Sequence, residues 1–358
     1  MFFLWYNTLE GKHIMKINKF KKVGKNKYKI IFDNTDLTLY EDVILKNNLL
    51  YNKDITLEIL EKIMNENIYY DVCQIHFLNP IYAKIADRLK KISRKVVITP
   101  WGSDVLRAKK YQLRGLRKLV QKSNWVTCTQ GSRFEKDIVT LLDIPKEKLY
   151  NLPIGIASID EILSRPFITD EQAKRVWGFE GKYVIVIGYN GSPAHNHIKV
   201  IKSLVFMKKQ LPTNTILVCP MTYGGNPVYR KKIKRLLWNS QFENQILENY
   251  LTAEELVCLR KATDLFIHAQ NTDANSGTIA EYLLCRKKIV NPTWITYPHY
   301  ETYGSPFYSF SNFEELPQAI MKAINDTSNK VSPLLTGNIS ESGWSKLACK
   351  WVELYKKY

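Results

Sequence analysis

From residue 70 onward, short apolar runs alternate with segments of helical period, and no other feature of the chain constrains its fold as tightly. Tyr70 to Phe77, Lys95 to Thr99 and Trp125 to Thr129 read as buried strands. Helices follow them over about Pro80 to Ile92, Val105 to Lys122 and Gly131 to Leu142. Pro80 suits a first helical turn, where its missing N–H is not needed. A second series has strands at Tyr183 to Gly188, Thr215 to Pro220, Gln245 to Leu247, Leu265 to Ala269 and Lys288 to Val290. Its helices are expected over about Asn196 to Gln210, Pro227 to Trp238, from the capping-box pair Thr252 and Glu255, and over Phe313 to Asn325. Apolar strands separated by helices long enough to cross back over a sheet are the signature of parallel α/β architecture.

The alternation divides the chain into two α/β lobes, residues 1–155 and 156–340, whose parallel sheets are expected to face a cleft. Leu152 to about Phe179 reads as the linker. A terminal helix, residues 341–358, spaces Trp344, Leu347, Trp351 and Leu354 along one face and is expected to pack back on the first lobe. Before residue 70 the pattern is weaker. Lys29 to Phe32 looks like a strand, and Thr56 to Asn65 carries Leu57, Ile59, Leu60, Ile63 and Met64 at helical spacing.

Composition limits the partners. Hydrophobic residues make up 45%, enough for two cores. No apolar run approaches the roughly 18 residues that a spanning helix needs. The apolar start, Met1 to Tyr6, is too short for a secretory signal and no basic stretch precedes it. Six cysteines lie scattered, without metal-like spacing and mostly in apolar runs, which points to buried thiols in a reducing cytoplasm. No metal and no resident cofactor is expected. Net charge is +18, so the partner should be anionic. Residues 12–29 hold eight lysines and no acid, and residues 105–122 hold seven basic residues and no acid.

In parallel sheets ligands bind beyond the carboxyl ends of the strands. The second lobe places three small polar loops there. The first holds Asn190, Gly191, Ser192, Asn196 and His197. The second holds Tyr223, Gly224, Gly225 and Asn226. The third holds Asn275, Ser276, Gly277 and Thr278, with Glu281 beyond them. Glycine admits a phosphate close to the backbone, and the first N–H groups of a helix are unpaired and aimed at an anion. Any one of these loops reads equally as an ordinary strand-to-helix turn. Three at successive strand ends point to a diphosphate site, with Glu281, one turn into its helix, able to accept from ribose hydroxyls. Ser276 or Thr278 is expected to cap that helix.

The spacing of Asp273 and Glu281, an acid then seven residues then glutamate, resembles the EX7E motif of retaining GT-B glycosyltransferases. Gly188 to Ile198 (GYNGSPAHNHI), Pro220 to Asn226 (PMTYGGN) followed by Tyr229, and Pro100 to Val105 (PWGSDV) resemble motifs of bacterial 4-acetamido-4,6-dideoxygalactose transferases that act on a lipid-linked sugar. The resemblance covers roughly residues 70–325. Asp273 stands where the family has its first glutamate, and no arginine stands beside Gly188. What the resemblance implies is metal-independent sugar transfer with retention. The departing nucleoside diphosphate then needs fixed donors and cations. Candidates are the amides near Ser192 and Gly277, His197, and Lys199 or Arg230. Asp273 would hold sugar hydroxyls. His76 and Asp104 in the first lobe would meet the sugar or the acceptor, although His76 reads equally as a structural histidine and Asp104 as a helix N-cap.

Trp101, Gly102 and Ser103 join His76 at strand ends of the first lobe. The helix over residues 105–122 lines up Arg107, Lys110, Arg114, Arg117, Lys118 and Lys122 on one face, opposite Leu106, Leu113, Leu116 and Val120. That suits an anionic membrane surface, or equally a packed helix with a solvated face. The cluster Arg230, Lys231, Lys232, Lys234 and Arg235 reads as a solvated face. The expectation is therefore a cytoplasmic, membrane-peripheral glycosyltransferase. It would carry sugar from a nucleotide diphosphate donor to a lipid-linked or growing surface glycan, with no nucleic-acid partner. The rivals are a nucleic-acid-binding protein, argued from charge, and a GT-B partner subunit that binds nucleotide sugar without turning it over.

Overall fold

The computed structural model describes residues 2–8, 11–24, 27–32 and 44–46 as strands, and residues 70–80 and 82–356 in full apart from the side chain of residue 85. The helix expected over Thr56 to Asn65 lies outside the described residues. The chain divides into two compact units. One comprises Met1–Gln130, Phe134–Pro153 and Lys350–Tyr358, and the other Gly131–Arg133 and Ile154–Cys349.

In the first unit β5 (Tyr70–His76), β6 (Ser93–Thr99), β7 (Trp125–Cys128) and β8 (Leu149–Asn151) run parallel, as their connecting helices require. These helices are α1 (Tyr82–Ile92), α2 (Ser103–Leu106), α3 (Lys110–Lys122) and α4 (Arg133–Leu142). The sheet is not parallel throughout. β1 (Phe2–Thr8) pairs antiparallel with β5, and β2 (Gly11–Gly24), β3 (Lys27–Phe32) and β4 (Ile44–Lys46) extend it as an antiparallel ribbon. The strand order is β4-β3-β2-β1-β5-β6-β7-β8. Residues 12–24 and 27–29 of the lysine-rich segment thus lie in β2 and β3, whose pairing shifts register between Ile17 and Lys19 and between Lys22 and Gly24.

One helix was expected over Val105 to Lys122, but two form. α2 ends at Leu106 with Arg107 as its C-cap, and α3 starts afresh after Lys109, whose N–H donates to the Gln112 side chain (2.8 Å). The break follows from Asp104, which ties the preceding turn to the sheet. α3 buries Leu116, Leu119 and Val120. Its Gly115 permits close packing, since a Cβ there would lie 2.6 Å from Pro80.

In the second unit the sheet is parallel throughout, with order β11-β10-β9-β12-β13-β14. The strands are β9 (Tyr183–Ile187), β10 (Thr215–Pro220), β11 (Glu243–Leu247), β12 (Leu265–Ile267), β13 (Lys288–Pro292) and β14 (Phe307–Phe310). All but the edge strands are almost wholly buried, which is why they read as unbroken apolar runs. The segment expected to be a linker is structured. It forms α5 (Ala157–Leu163) and α6 (Asp170–Trp177), the latter capped by Thr169 and closed by Gly178 at φ 70.

α5, α6, α9 (Ala253–Ala262), α10 (Gly277–Leu284) and α13 (Pro333–Ser340) bury Ile159, Ala173, Leu259, Tyr282 and Leu335 against one face of the sheet. α7 (His197–Phe206), α8 (Pro227–Asn239) and α12 (Leu316–Asn325) bury Val200, Leu204, Ile233, Leu237 and Ile320 against the other. The short α11 (Pro298–Glu301) links β13 to β14. The terminal α14 (Trp344–Lys356) divides between the units, with Trp351 and Leu354 buried in the first.

Candidate functional site

The three polar loops begin where β9, β10 and β12 end. β9 hands over to Gly188, whose φ of 63 turns the chain and whose N–H donates to the Ile267 carbonyl at 3.1 Å. The Asn190 Oδ1 then accepts from the Ser192 N–H (2.8 Å), curling the loop back on itself. The loop after β10 packs against it, backbone on backbone. The Gly191 N–H donates to the Tyr223 carbonyl at 2.7 Å. A Cβ on Gly225 would lie 2.1 Å from the Gly191 oxygen, and one on Gly191 would lie 2.8 Å from the Gly224 oxygen. Glycine is required at 191 and 225 because any side chain would part the two loops. Asn226 caps α8 through the Tyr229 N–H (2.8 Å), and Arg230 donates to the Gly224 carbonyl at 2.7 Å. Arg230 is therefore the cation seated where these loops meet.

The first and third loops are joined by Asn196, held at φ 53. Its side-chain amide donates to the Ala269 carbonyl (2.8 Å) and to Asn271 (2.7 Å), and the Asn271 N–H donates to the Ala194 carbonyl (3.0 Å). The structure thus brings together Asn190, Gly191, Ser192, Asn196, Tyr223, Gly224, Gly225, Asn226 and Arg230. It does not give Lys199 the same place, because the Lys199 ammonium lies 4.4 Å from the Phe313 ring centroid. His197 lies under the loops rather than on them. It is wholly buried, with Nδ1 3.2 Å from the Tyr229 hydroxyl, and burial pushes its pKa down to about 4. It is neutral near pH 7 and supplies no cation to a leaving group.

α10 starts at the third loop. Ser276 occupies the N-cap position, yet its side chain makes no cap hydrogen bond, contrary to the capping expected of Ser276 or Thr278. The α10 N-terminus, at Gly277 and Thr278, is therefore not occupied by its own cap. Glu281 lies one turn on and is buried. Ser158 of α5 donates to one carboxylate oxygen, and Arg260 of α9 donates to the other at 2.7 Å. Arg260 is also buried and bonds the Tyr282 hydroxyl at 3.1 Å. Each carboxylate oxygen has a second lone-pair direction, so the pair fixes Glu281 without exhausting it as an acceptor.

Asp273 sits in a buried polar chain. Its Oδ1 accepts from the Ala274 N–H (2.8 Å), and its Oδ2 accepts from the Tyr297 hydroxyl (2.5 Å). His268 Nε2 lies 3.4 Å from the same Oδ2, and His268 Nδ1 lies 2.8 Å from Asn291 Oδ1. Asn291 spends its own N–H groups on the Pro292 and Ile295 carbonyls, so Nδ1 of His268 carries the hydrogen and donates. Burial lowers the His268 pKa while Asp273 raises it. Asp273 is thus oriented by the Ala274 N–H and the Tyr297 hydroxyl, and the unprotonated Nε2 of His268 faces it without a hydrogen bond.

Loop chemistry in the sequence did not single out His268, Asn291, Tyr297, Arg260 or Ser158. The one sequence signal was a lone arginine among the inward residues of α9. Tyr250 was missed as well. It follows β11 and stacks on Tyr223, with ring centroids 6.2 Å apart and planes 6° apart, both rings exposed.

In the first unit, His76 ends β5 and is buried. Its Nδ1 accepts from the Trp101 indole at 3.3 Å, and the Trp351 ring lies 6.3 Å away. Burial pushes its pKa down to about 4. Asp104 accepts from the backbone N–H groups of Leu78 (2.6 Å), Trp101 (3.0 Å) and Gly102 (2.8 Å), which holds Gly102 at φ 112 and presents Trp101 half exposed. Gly102, not Asp104, is the N-cap of α2. Ser103 and Arg107 are exposed. Lys110, Arg114 and Lys118 form one exposed row on α3. Arg107 precedes that helix and Arg117 leaves the row to pair with Asp143 at 3.0 Å. Among the described residues no three His, Cys, Asp or Glu side chains gather into a metal-binding group.

No family model matches the chain, and no curated protein matches it. Solved structures do. HepE from Anabaena, in complex with UDP and glucose, superposes with a TM-score of 0.65 at 15% identity, over 85% of this chain and 82% of that one. A glycosyltransferase from Rickettsia africae gives 0.64 at 17% identity, over 87% and 82%. Sucrose-phosphate synthase from Thermosynechococcus elongatus gives 0.63 at 13%, over 85% and 78%. The fold is GT-B. In this GT-B chain the three joined loops, Arg230, the α10 N-terminus and Glu281 all belong to the second unit.

Proposed function

We propose that this GT-B protein is a glycosyltransferase that takes its sugar from a nucleoside diphosphate donor held by the second unit. The observation that carries the reading is the junction of the glycine loops at Gly191 and Gly225. It brings fixed backbone N–H groups and the Arg230 guanidinium together, in the unit that also holds the uncapped start of α10. Such a constellation stabilises charge that builds on a departing diphosphate, and it does so without reorganising during the reaction. Glu281, one turn into α10, accepts from the ribose. The parallel rings of Tyr223 and Tyr250 give the base a face to stack on. Asp273, set by Tyr297 and the Ala274 N–H, accepts from sugar hydroxyls. HepE, a similar fold, is known in complexes with UDP and UDP-glucose, which favours a uridine donor here.

We assign the acceptor to the first unit. His76 is neutral at working pH and Trp101 is an exposed ring of the kind that sugars stack on. Asp104 holds the loop that presents Trp101. The motif resemblance to 4-acetamido-4,6-dideoxygalactose transferases supports a bacterial, lipid-linked or growing surface glycan as acceptor and transfer with retention. The exposed row Lys110, Arg114 and Lys118 supports a peripheral place on an anionic membrane face. Leaving-group charge is met by amides and Arg230, so no metal is invoked.

A thermal-shift panel of UDP, GDP and TDP and their sugars tests the donor. One nucleotide class should raise the melting temperature by several degrees near a hundredfold excess over Kd, and chelator should leave that shift unchanged. No response to any nucleotide, with salt-sensitive oligonucleotide binding instead, would sink the proposal in favour of a nucleic-acid role.

A further inference from the structure

α7 and α8 lie side by side on one face of the second sheet. With the turn Lys208–Gln210 that closes α7, they hold nine lysines and arginines and no acid. Four of these cations have a structural partner. Lys199 covers Phe313, Lys208 bonds the Gln241 carbonyl (2.7 Å), Arg230 bonds the Gly224 carbonyl (2.7 Å), and Lys234 pairs with Glu248 (2.7 Å). The other five, Lys202, Lys209, Lys231, Lys232 and Arg235, are exposed and make no ion pair among the described residues. Large apolar side chains share this outer face. Trp238 is 84% exposed, Phe206 82% and Val228 78%. Lys208 reaches from the end of α7 to the Ser240 and Gln241 carbonyls just past α8, so Phe206 and Trp238 belong to the same end of the helix pair.

A face kept only for solubility would not carry a bare indole and a bare phenyl ring. Aromatic side chains among unpaired cations are the signature of a surface that seats on anionic lipid headgroups, rings at the headgroup level and ammonium groups on the phosphates. We propose that the outer face of α7 and α8 is a docking surface for an anionic phospholipid bilayer. It is a contact of the second unit, independent of the α3 row and of the donor assignment.

Sedimentation of the full chain with vesicles tests this. It should bind mixed phosphatidylglycerol and phosphatidylcholine vesicles and not pure phosphatidylcholine. Phe206→Ser with Trp238→Ser should weaken that binding about tenfold. Lys231→Gln, Lys232→Gln and Arg235→Gln together should weaken it about a hundredfold at low salt, at roughly tenfold for each 1.4 kcal/mol. All five positions are exposed, so both variants should keep the melting temperature and the nucleotide shift of the unaltered chain. Unchanged vesicle binding in both variants would overturn the proposal. So would equal binding to pure phosphatidylcholine, or loss of oligonucleotide binding in place of vesicle binding. Loss of nucleotide response with vesicle binding retained would count against the donor reading and leave this surface standing.

Discussion

Glu281 reaches its position through Arg260 and Ser158, and this changes what its substitution reports. Glu281→Ala strands the Arg260 guanidinium in the interior, at a cost of about 3–5 kcal/mol. Urea unfolding should show that loss whether or not Glu281 touches a ligand. Replacing the pair by Glu281→Leu with Arg260→Met removes both charges at similar volume and should recover most of the stability. If the recovered protein still shifts with nucleotide, Glu281 is not a ribose ligand. His76 and His197 add an acid limit. Both are buried, and both have folded pKa values near 4 against 6.5 for an ordinary histidine. The unfolded chain therefore binds these protons more tightly than the folded one. Stability should be full above pH 6.5 and drain away as pH falls toward 4, by up to about 3 kcal/mol for each histidine. The urea midpoint measured at pH 7.5, 6 and 5 checks this, and His197→Gln should flatten the profile. Residues such as Glu281 and the loop asparagines were legible because loop chemistry is local. Their holders were not, since Arg260 lies 21 positions from Glu281 and Asn291 lies 23 from His268.

At the scale of elements, the polar loops depend on Gly225 for a different reason from that of other glycines in left-handed conformations. Gly225 sits at φ 69 and has no room for a Cβ beside the Gly191 oxygen. Gly178 ends α6 at φ 70 with open space around it. Gly178→Ala should cost about 1–2 kcal/mol and leave nucleotide binding intact. Gly225→Ala should cost at least as much, and should abolish the nucleotide-induced thermal shift because the loops must part. Equal behaviour of the two variants would remove the loop junction from the site. Strands and long helices were readable from period alone, as β9, β10 and β12 show. The linker was misread because Leu152 to Phe179 is polar and broken by Pro153, Gly155 and Pro166. Its helices α5 and α6 gain their stability from packing on α9, through Ile159 and Ala173, and only weakly from pattern. The α2–α3 break escaped notice because Asp104 imposes it from outside the helix.

For the whole molecule, α14 is the informative element, since one continuous helix contributes to both units. Trp344 lies against Gly155 in the second unit, where a Cβ would come within 2.4 Å of the indole. Trp351 and Leu354 are buried in the first, and the Trp351 indole N–H donates to the Pro153 carbonyl at 3.0 Å. Ending the chain after Cys349 would remove the second set and spare the first. Each large buried side chain lost costs about 2–5 kcal/mol, a heavy loss for a unit whose total stability is on the order of 10 kcal/mol. The three polar loops proposed to hold the nucleotide lie entirely within residues 188–281 and keep their supports from α5, α9 and α10. Scanning calorimetry should therefore show the truncated chain unfolding in two steps. The early one belongs to the first unit, and the later one still moves upward with the nucleotide that stabilises the full chain. A single transition lowered as a whole, with the nucleotide response lost, would show instead that α14 couples the units into one cooperative fold, and that the donor site requires the first unit to be folded.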